Sequence, residues 1–182
     1  MASKASGGGG AGIPWRLVGW AIPVGLLMIP LVAHWPWTLF DFVFAGAMFA
    51  TVGGLFELAV RKSGNWAFRG GVAVALATSF LLVWINGAVG IIGNEDNPLN
   101  LMFFGVIGAA LVGAIVARFR AEGMARAMTV VAAIQGMIGV GVFMADAGAT
   151  EPPGRFALLF LIEAFAGLWL LSAWLFRKAA RR

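Results

Sequence analysis

Apolar runs of about span length, separated by short polar turns, make up most of this chain. They fall at residues 13–33, 37–60, 66–93, 98–117, 124–145 and 156–176. Each is close to the roughly 20 residues that an α-helix needs to cross about 30 Å of hydrocarbon at 1.5 Å per residue. The pattern predicts an all-α integral membrane bundle of six transmembrane helices occupying residues 13–178. Pro23 and Pro30 interrupt the first run; each removes a backbone donor, so kinks are expected there. That run is longer than the apolar core of a signal peptide, about 7–15 residues, and lacks a clean A-x-A site. It reads as a retained first helix. The flanks differ. Residues 1–12 are mostly Ala, Ser, Lys and Gly and cannot bury enough apolar surface to order themselves, so a flexible cytoplasmic tail is expected. Residues 179–182 form a short basic tail.

Composition turns this pattern into a class. Hydrophobic residues make up 61% and charged residues 12%, against about 45–50% and about 25% in soluble domains. Too little polar surface remains to cover a soluble globule. The pI of about 11.1 would point to nucleic acid in a soluble protein. In a membrane chain it points to orientation instead, so the bilayer is the expected partner and nucleic acid is not. With six spans, Lys4, Arg16, Arg61, Lys62, Arg69, Arg118, Arg120, Arg126, Arg177, Lys178, Arg181 and Arg182 share one side. The other side holds Arg155 beside Glu95, Asp96, Asp146 and Glu151. The positive-inside rule then gives N-in/C-in topology, with acidic loops outside. Trp15, Trp66 and Trp174 fall at the inner interface and Trp35 and Trp37 at the outer, as an aromatic belt requires.

Small residues recur along the fourth run at Gly105, Ala109, Gly113 and Ala117, with Ala50 and Gly54 on the second and Gly71, Ala75 and Ser79 on the third. Such stripes let helix backbones approach closely. They serve either packing inside one bundle or contact in a homo-oligomer. Arg61 and Arg69 recur at a spacing of 57 as Arg118 and Arg126 around the next inner turn, a weak internal echo whose remaining similarity is mostly shared apolarity.

Candidate chemistry is sparse. There is no cysteine and a single histidine, His34, which excludes disulfides, thiolate metal sites, multi-His metal sites and an H-E-x-x-H protease. Neither a P-loop nor a G-x-S-x-G elbow is present. No catalytic residue, metal or cofactor is expected, and an enzyme is disfavoured. His34 reads as an interfacial residue, with an external pH-sensitive group as its other reading. Glu57 stands four residues before Arg61, the spacing of a helical ion pair.

Glu163 lies deeper. It is about 12 Å from the outer end of the last helix, and no Lys or Arg is expected at that depth. Gln135 and Asn86 count to a similar depth. The three make either a titrating proton or cation site or interhelical glue. Asp41 joins them as a candidate polar group, or serves the start of the second helix. The turn Asn94-Glu95-Asp96-Asn97 supplies four side-chain oxygen sources, suited to a hard cation or a partner. Alternatively Asn97 caps the fourth helix, Pro98 takes its first position, and the acids favour its positive start.

The segment Trp84–Asn100, with its VGIIGNEDNPLN core, resembles a signature of small multi-pass inner-membrane proteins of Gram-negative bacteria, a group with no assigned activity. The resemblance covers roughly the second to fifth helices. It implies a bacterial inner-membrane setting and makes the acidic turn a defining feature. Two functions fit these readings. One is a small transporter or channel-like protein for a proton, cation or small solute. The other is a non-catalytic accessory or assembly subunit of a membrane complex.

Overall fold

The computed structural model describes residues 15–147 and 154–181. The tail at residues 1–12, Glu151 and Arg182 lie outside them. The described residues form helices joined by short turns and loops, with no strand: α1 Trp15–Val32, α2 Leu39–Lys62, α3 Trp66–Ala88, α4 Leu101–Val116, α5 Ala121–Met144 and α6 Arg155–Ala180. Five helices are long and apolar enough to cross a membrane: α2, α3, α4 with its lead-in from Pro98, α5 and α6. α1 is described from Trp15 to Val32, with Pro23 and Pro30 inside it. The last helix is longer than expected and continues through residues 179 and 180, which the sequence assigns to a tail.

The chain forms two compact units, divided between Gly53 and Gly54 within α2. In the first, the side chain of Trp20 lies over Gly53, where a Cβ would stand 3.0 Å from the indole. α2 begins with a reciprocal capping box. The Thr38 backbone N–H and hydroxyl both donate to Asp41 Oδ2 (2.7 and 2.8 Å), while the Asp41 N–H faces Thr38 Oγ1 at 3.4 Å.

The second unit holds the end of α2 and the bundle α3–α6. Its helices are antiparallel neighbours, as short turns between apolar helices dictate. α5 and α6 form the largest seam, α3 packs on the same α6, and α4 packs on α5. The α3–α6 crossing depends on Gly71. A Cβ there would lie 3.1 Å from three atoms of the Phe176 ring, and the Ser172 hydroxyl donates to the Gly71 carbonyl at 2.8 Å. At one end of this crossing Asn65 caps α3, accepting from the N–H groups of Ala67 and Phe68 (2.9 and 3.3 Å). Arg69 closes the preceding helix by donating to the carbonyls of Val60 and Ser63 at 2.9 and 2.7 Å. Arg126, its counterpart in the sequence echo, instead pairs with Glu122. The two arginines therefore share no structural role.

Trp169, Phe103, Phe176, Leu82, Ile162 and Val106 fill the core. The outside is equally apolar: Phe160, Val116, Leu101 and Ile115 are mostly exposed. Such an apolar exterior is costly in water and neutral in hydrocarbon. Arg61, Lys62, Arg118, Arg120, Arg126, Arg177 and Lys178 gather at the end of this unit where α2 stops and α3 begins. Lys178 lies over the rings of Trp66 (4.6 Å) and Trp174 (5.1 Å). At the opposite end Arg155 pairs with Asp146 at 3.0 Å and sits over the Phe143 ring at 4.2 Å.

Candidate functional site: a polar notch between α5 and α6

Glu163 projects from α6 onto the backbone of α5, and two glycines make room for it. A Cβ on Gly139 would stand 2.5 Å from Glu163 Oε1 and 3.0 Å from Ile162 Cγ2; one on Gly136 would stand 3.4 Å from Oε2. Gly136 and Gly139 are three residues apart and so share a helix face. They form a notch that the carboxyl fills. Gln135 precedes the first of these glycines and is fully buried. Its Nε2 reaches the Ile162 carbonyl across the same seam, at a long 3.5 Å. Glu163 Oε1 and Gln135 Oε1 are both buried and accept no hydrogen bond.

Asn86 stands apart from this pair. It is buried, its Nδ2 donates to the Leu82 carbonyl at 2.7 Å, and its Oδ1 has no donor. α3 ends at Ala88, short of residue 93, because Gly90 adopts a left-handed φ of 73°. Asn86 is therefore in the last turn. Counted from the Gly71 crossing at 1.5 Å per residue, it lies about 6 Å further toward the acidic end than Glu163. Asp41 belongs to the other compact unit, and its carboxylate is engaged by its own helix start.

The acidic turn is built by amide side chains. Asn94 Oδ1 accepts from the Asp96 N–H at 3.1 Å, and Asn97 Oδ1 accepts from the Leu99 N–H at 3.0 Å. Asn97 caps a single 3-10 turn, Pro98–Asn100, with Pro98 at its first position. α4 follows directly. Glu95 and Asp96 are exposed. Among the described residues no group of three or more His, Cys, Asp or Glu is disposed to hold a metal ion.

The sequence reading missed Asn100. It is buried, and its Oδ1 accepts from the N–H groups of Ile91 and Ile92 at 3.1 and 2.9 Å. Its Nδ2 donates to the carbonyls of Asn94 (2.7 Å) and Ile92 (3.3 Å). One side chain thus supplies the backbone partners that residues 91–94 lose by leaving the helix. The usable signal was a lone amide at the start of an apolar helix, nine residues after Ile91.

The small-residue stripe on α4 divides. Gly113 meets Ala127 of α5, where an added Cβ would come within 2.8 Å of the Ala127 Cβ. Ala117 faces Gly123 of α5 at the same hypothetical distance, 2.8 Å. Ala109 packs against the core, while Gly105 is exposed with open space before it. The lower half is an intramolecular contact. Glu57 and Arg61 form an ion pair at 2.7 Å. His34 is exposed just past α1, with a left-handed φ of 52°.

No protein-family model matches this chain, and neither the curated proteins nor the solved structures include a significant match.

Proposed function

We propose that the chain is a six-span protein of the bacterial inner membrane, with both termini in the cytoplasm, that conducts a proton or small cation by way of Glu163 and Gln135. The observation that carries this reading is the pair of buried oxygens on one helix seam, both acceptors and both without a donor. An unsatisfied buried acceptor costs about 1–3 kcal/mol. A proton on Glu163, or a small cation in the notch, supplies the missing positive partner. Intramembrane carboxyls on such seams mark ion pathways by default. The topology is supported by the basic end of the second unit, with Lys178 against Trp66 and Trp174, and by the acid-paired Arg155 at the other.

The test is proton uptake into proteoliposomes carrying a pH-sensitive dye, driven by a potassium diffusion potential. Wild-type protein gives uptake above empty liposomes; Glu163→Gln, which keeps the shape and hydrogen bonding, gives none. Gly139→Ala, which displaces the carboxyl from its notch, reduces it. Equal uptake by wild type and Glu163→Gln removes Glu163 from the pathway.

The rival reading is an accessory subunit that meets a membrane-complex partner or a second copy of itself. The Gln135 contact to the Ile162 carbonyl favours it, since this is how polar side chains join helices in lipid. In that case wild-type protein carries no proton flux, and Glu163→Gln alters only thermal stability.

A further inference from the structure

A second feature shares no lining residue with the notch. A groove of about 680 Å³ runs between the end of α2 and α4, with α3 behind it. Its volume is within the roughly 300–1,000 Å³ typical of ligand sites. Its walls are apolar and open outward: Leu58, Leu111, Ile115 and Phe119 line it and are 61%, 56%, 66% and 47% exposed. Ser79 marks its far end, and its hydroxyl already donates to the Ala75 carbonyl at 2.9 Å. The shaft is therefore suited to hydrocarbon.

One end is charged. Arg61 and Lys62 line the groove where α2 stops. Arg61 is paired with Glu57, but among the described residues no carboxylate pairs with Lys62, whose ammonium lies 5.0 Å from the centre of the Phe119 ring. The length is also informative. Along α3 the groove extends from Phe68 to Ser79, about 17 Å at 1.5 Å per residue. Half of a hydrocarbon core of about 30 Å is about 15 Å. A cationic mouth at the interface and an apolar shaft one leaflet deep match a single kind of molecule.

We propose that this groove binds one anionic phospholipid from the leaflet facing the basic end, with its phosphate at Lys62 and an acyl chain along α3 as far as Ser79. The site is distinct from the Glu163 notch and requires only that the chain sit in a bilayer. Phe119 closes the mouth from the α4–α5 turn, where it and Arg118 hold left-handed φ values of 56° and 49°. This conformation is uncommon for bulky residues. It holds the ring beneath Lys62, where the cation–π contact fixes the ammonium over the groove.

The experiment is native mass spectrometry of the full chain in detergent, titrated with dioleoyl phosphatidylglycerol or dioleoyl phosphatidylcholine. Wild-type protein retains one phosphatidylglycerol in preference to phosphatidylcholine. Lys62→Gln weakens phosphatidylglycerol retention about fivefold, the effect of one interfacial cation, whereas Lys178→Gln leaves it unchanged. Leu111→Trp, which adds bulk at an exposed wall position, weakens retention of both lipids without altering the elution of the protein. Equal retention of the two lipids by wild type overturns the proposal, as does equal loss in Lys62→Gln and Lys178→Gln. Competition by glycerol 3-phosphate at concentrations equal to the lipid also overturns it, because that result would mean the shaft contributes nothing.

Discussion

Removing the Asn100 side chain tests how the 90–97 segment is held. In Asn100→Ala four hydrogen bonds vanish, and the N–H groups of Ile91 and Ile92 lose their acceptor. Ile91 and Ile92 are 3% and 0% exposed, so water cannot replace Asn100 without the loop moving. At about 1–3 kcal/mol for each orphaned donor, the local cost is about 2–6 kcal/mol. A shift of about 3 kcal/mol speeds amide exchange by opening about 150-fold, since each 1.4 kcal/mol is tenfold. Hydrogen exchange of the detergent-solubilised protein should therefore show Ile91 and Ile92 exchanging at least tenfold faster, with α5 and α6 unaffected. Asn100→Asp keeps the acceptor but loses both donations to Ile92 and Asn94, so it should fall between wild type and Asn100→Ala. Asn97→Ala removes only an exposed cap, worth about 1 kcal/mol. If Asn100→Ala protects Ile91 and Ile92 as well as Asn97→Ala does, the buried amide does not hold the loop and the reasoning fails.

Two further outcomes are expected. Gly71→Ala should lower stability by about 1–3 kcal/mol, the cost of overpacking, because its Cβ meets the Phe176 ring at 3.1 Å; Phe176→Leu in the same chain should recover part of the loss in a detergent thermal melt, and no recovery would place the strain elsewhere. Thr38→Ala breaks the box with Asp41 and should cost about 1 kcal/mol, detected as faster exchange in the first turn of α2, while proton flux stays at the wild-type level.

The two polar groups that make the notch were visible in the sequence, but the notch was not. Glu163 and Gln135 stand out because ionisable and amide groups are rare in apolar runs. Gly136 and Gly139 do not stand out in a chain with 26 glycines. Their meaning comes from the partner helix, which brings a carboxyl against them. Asn86 shows the reverse case. Its chemistry was readable, but its level depended on where α3 stops. Ile91 and Ile92 extend the apolar run although they lie in a buried loop, so hydropathy overran the helix end. Gly90 and Gly93, with φ of 73° and 67°, carried the stop signal.

What the sequence alone determined is whatever depends on local chemistry or on transfer to hydrocarbon. Apolar length sets the helical class, and five of the six apolar runs form described helices of spanning size; Asn97 with Pro98 sets the entry to α4. The i,i+4 spacing sets the Glu57–Arg61 pair. Only the tertiary structure decided which polar groups meet. It set Glu163 over two glycines of α5, left its oxygen and that of Gln135 without donors, and tied Asn100 back to Ile91 and Ile92. The physical reason is that burial in hydrocarbon constrains each helix separately, whereas the rotation and depth of one helix against another follow from side-chain shape at the seams.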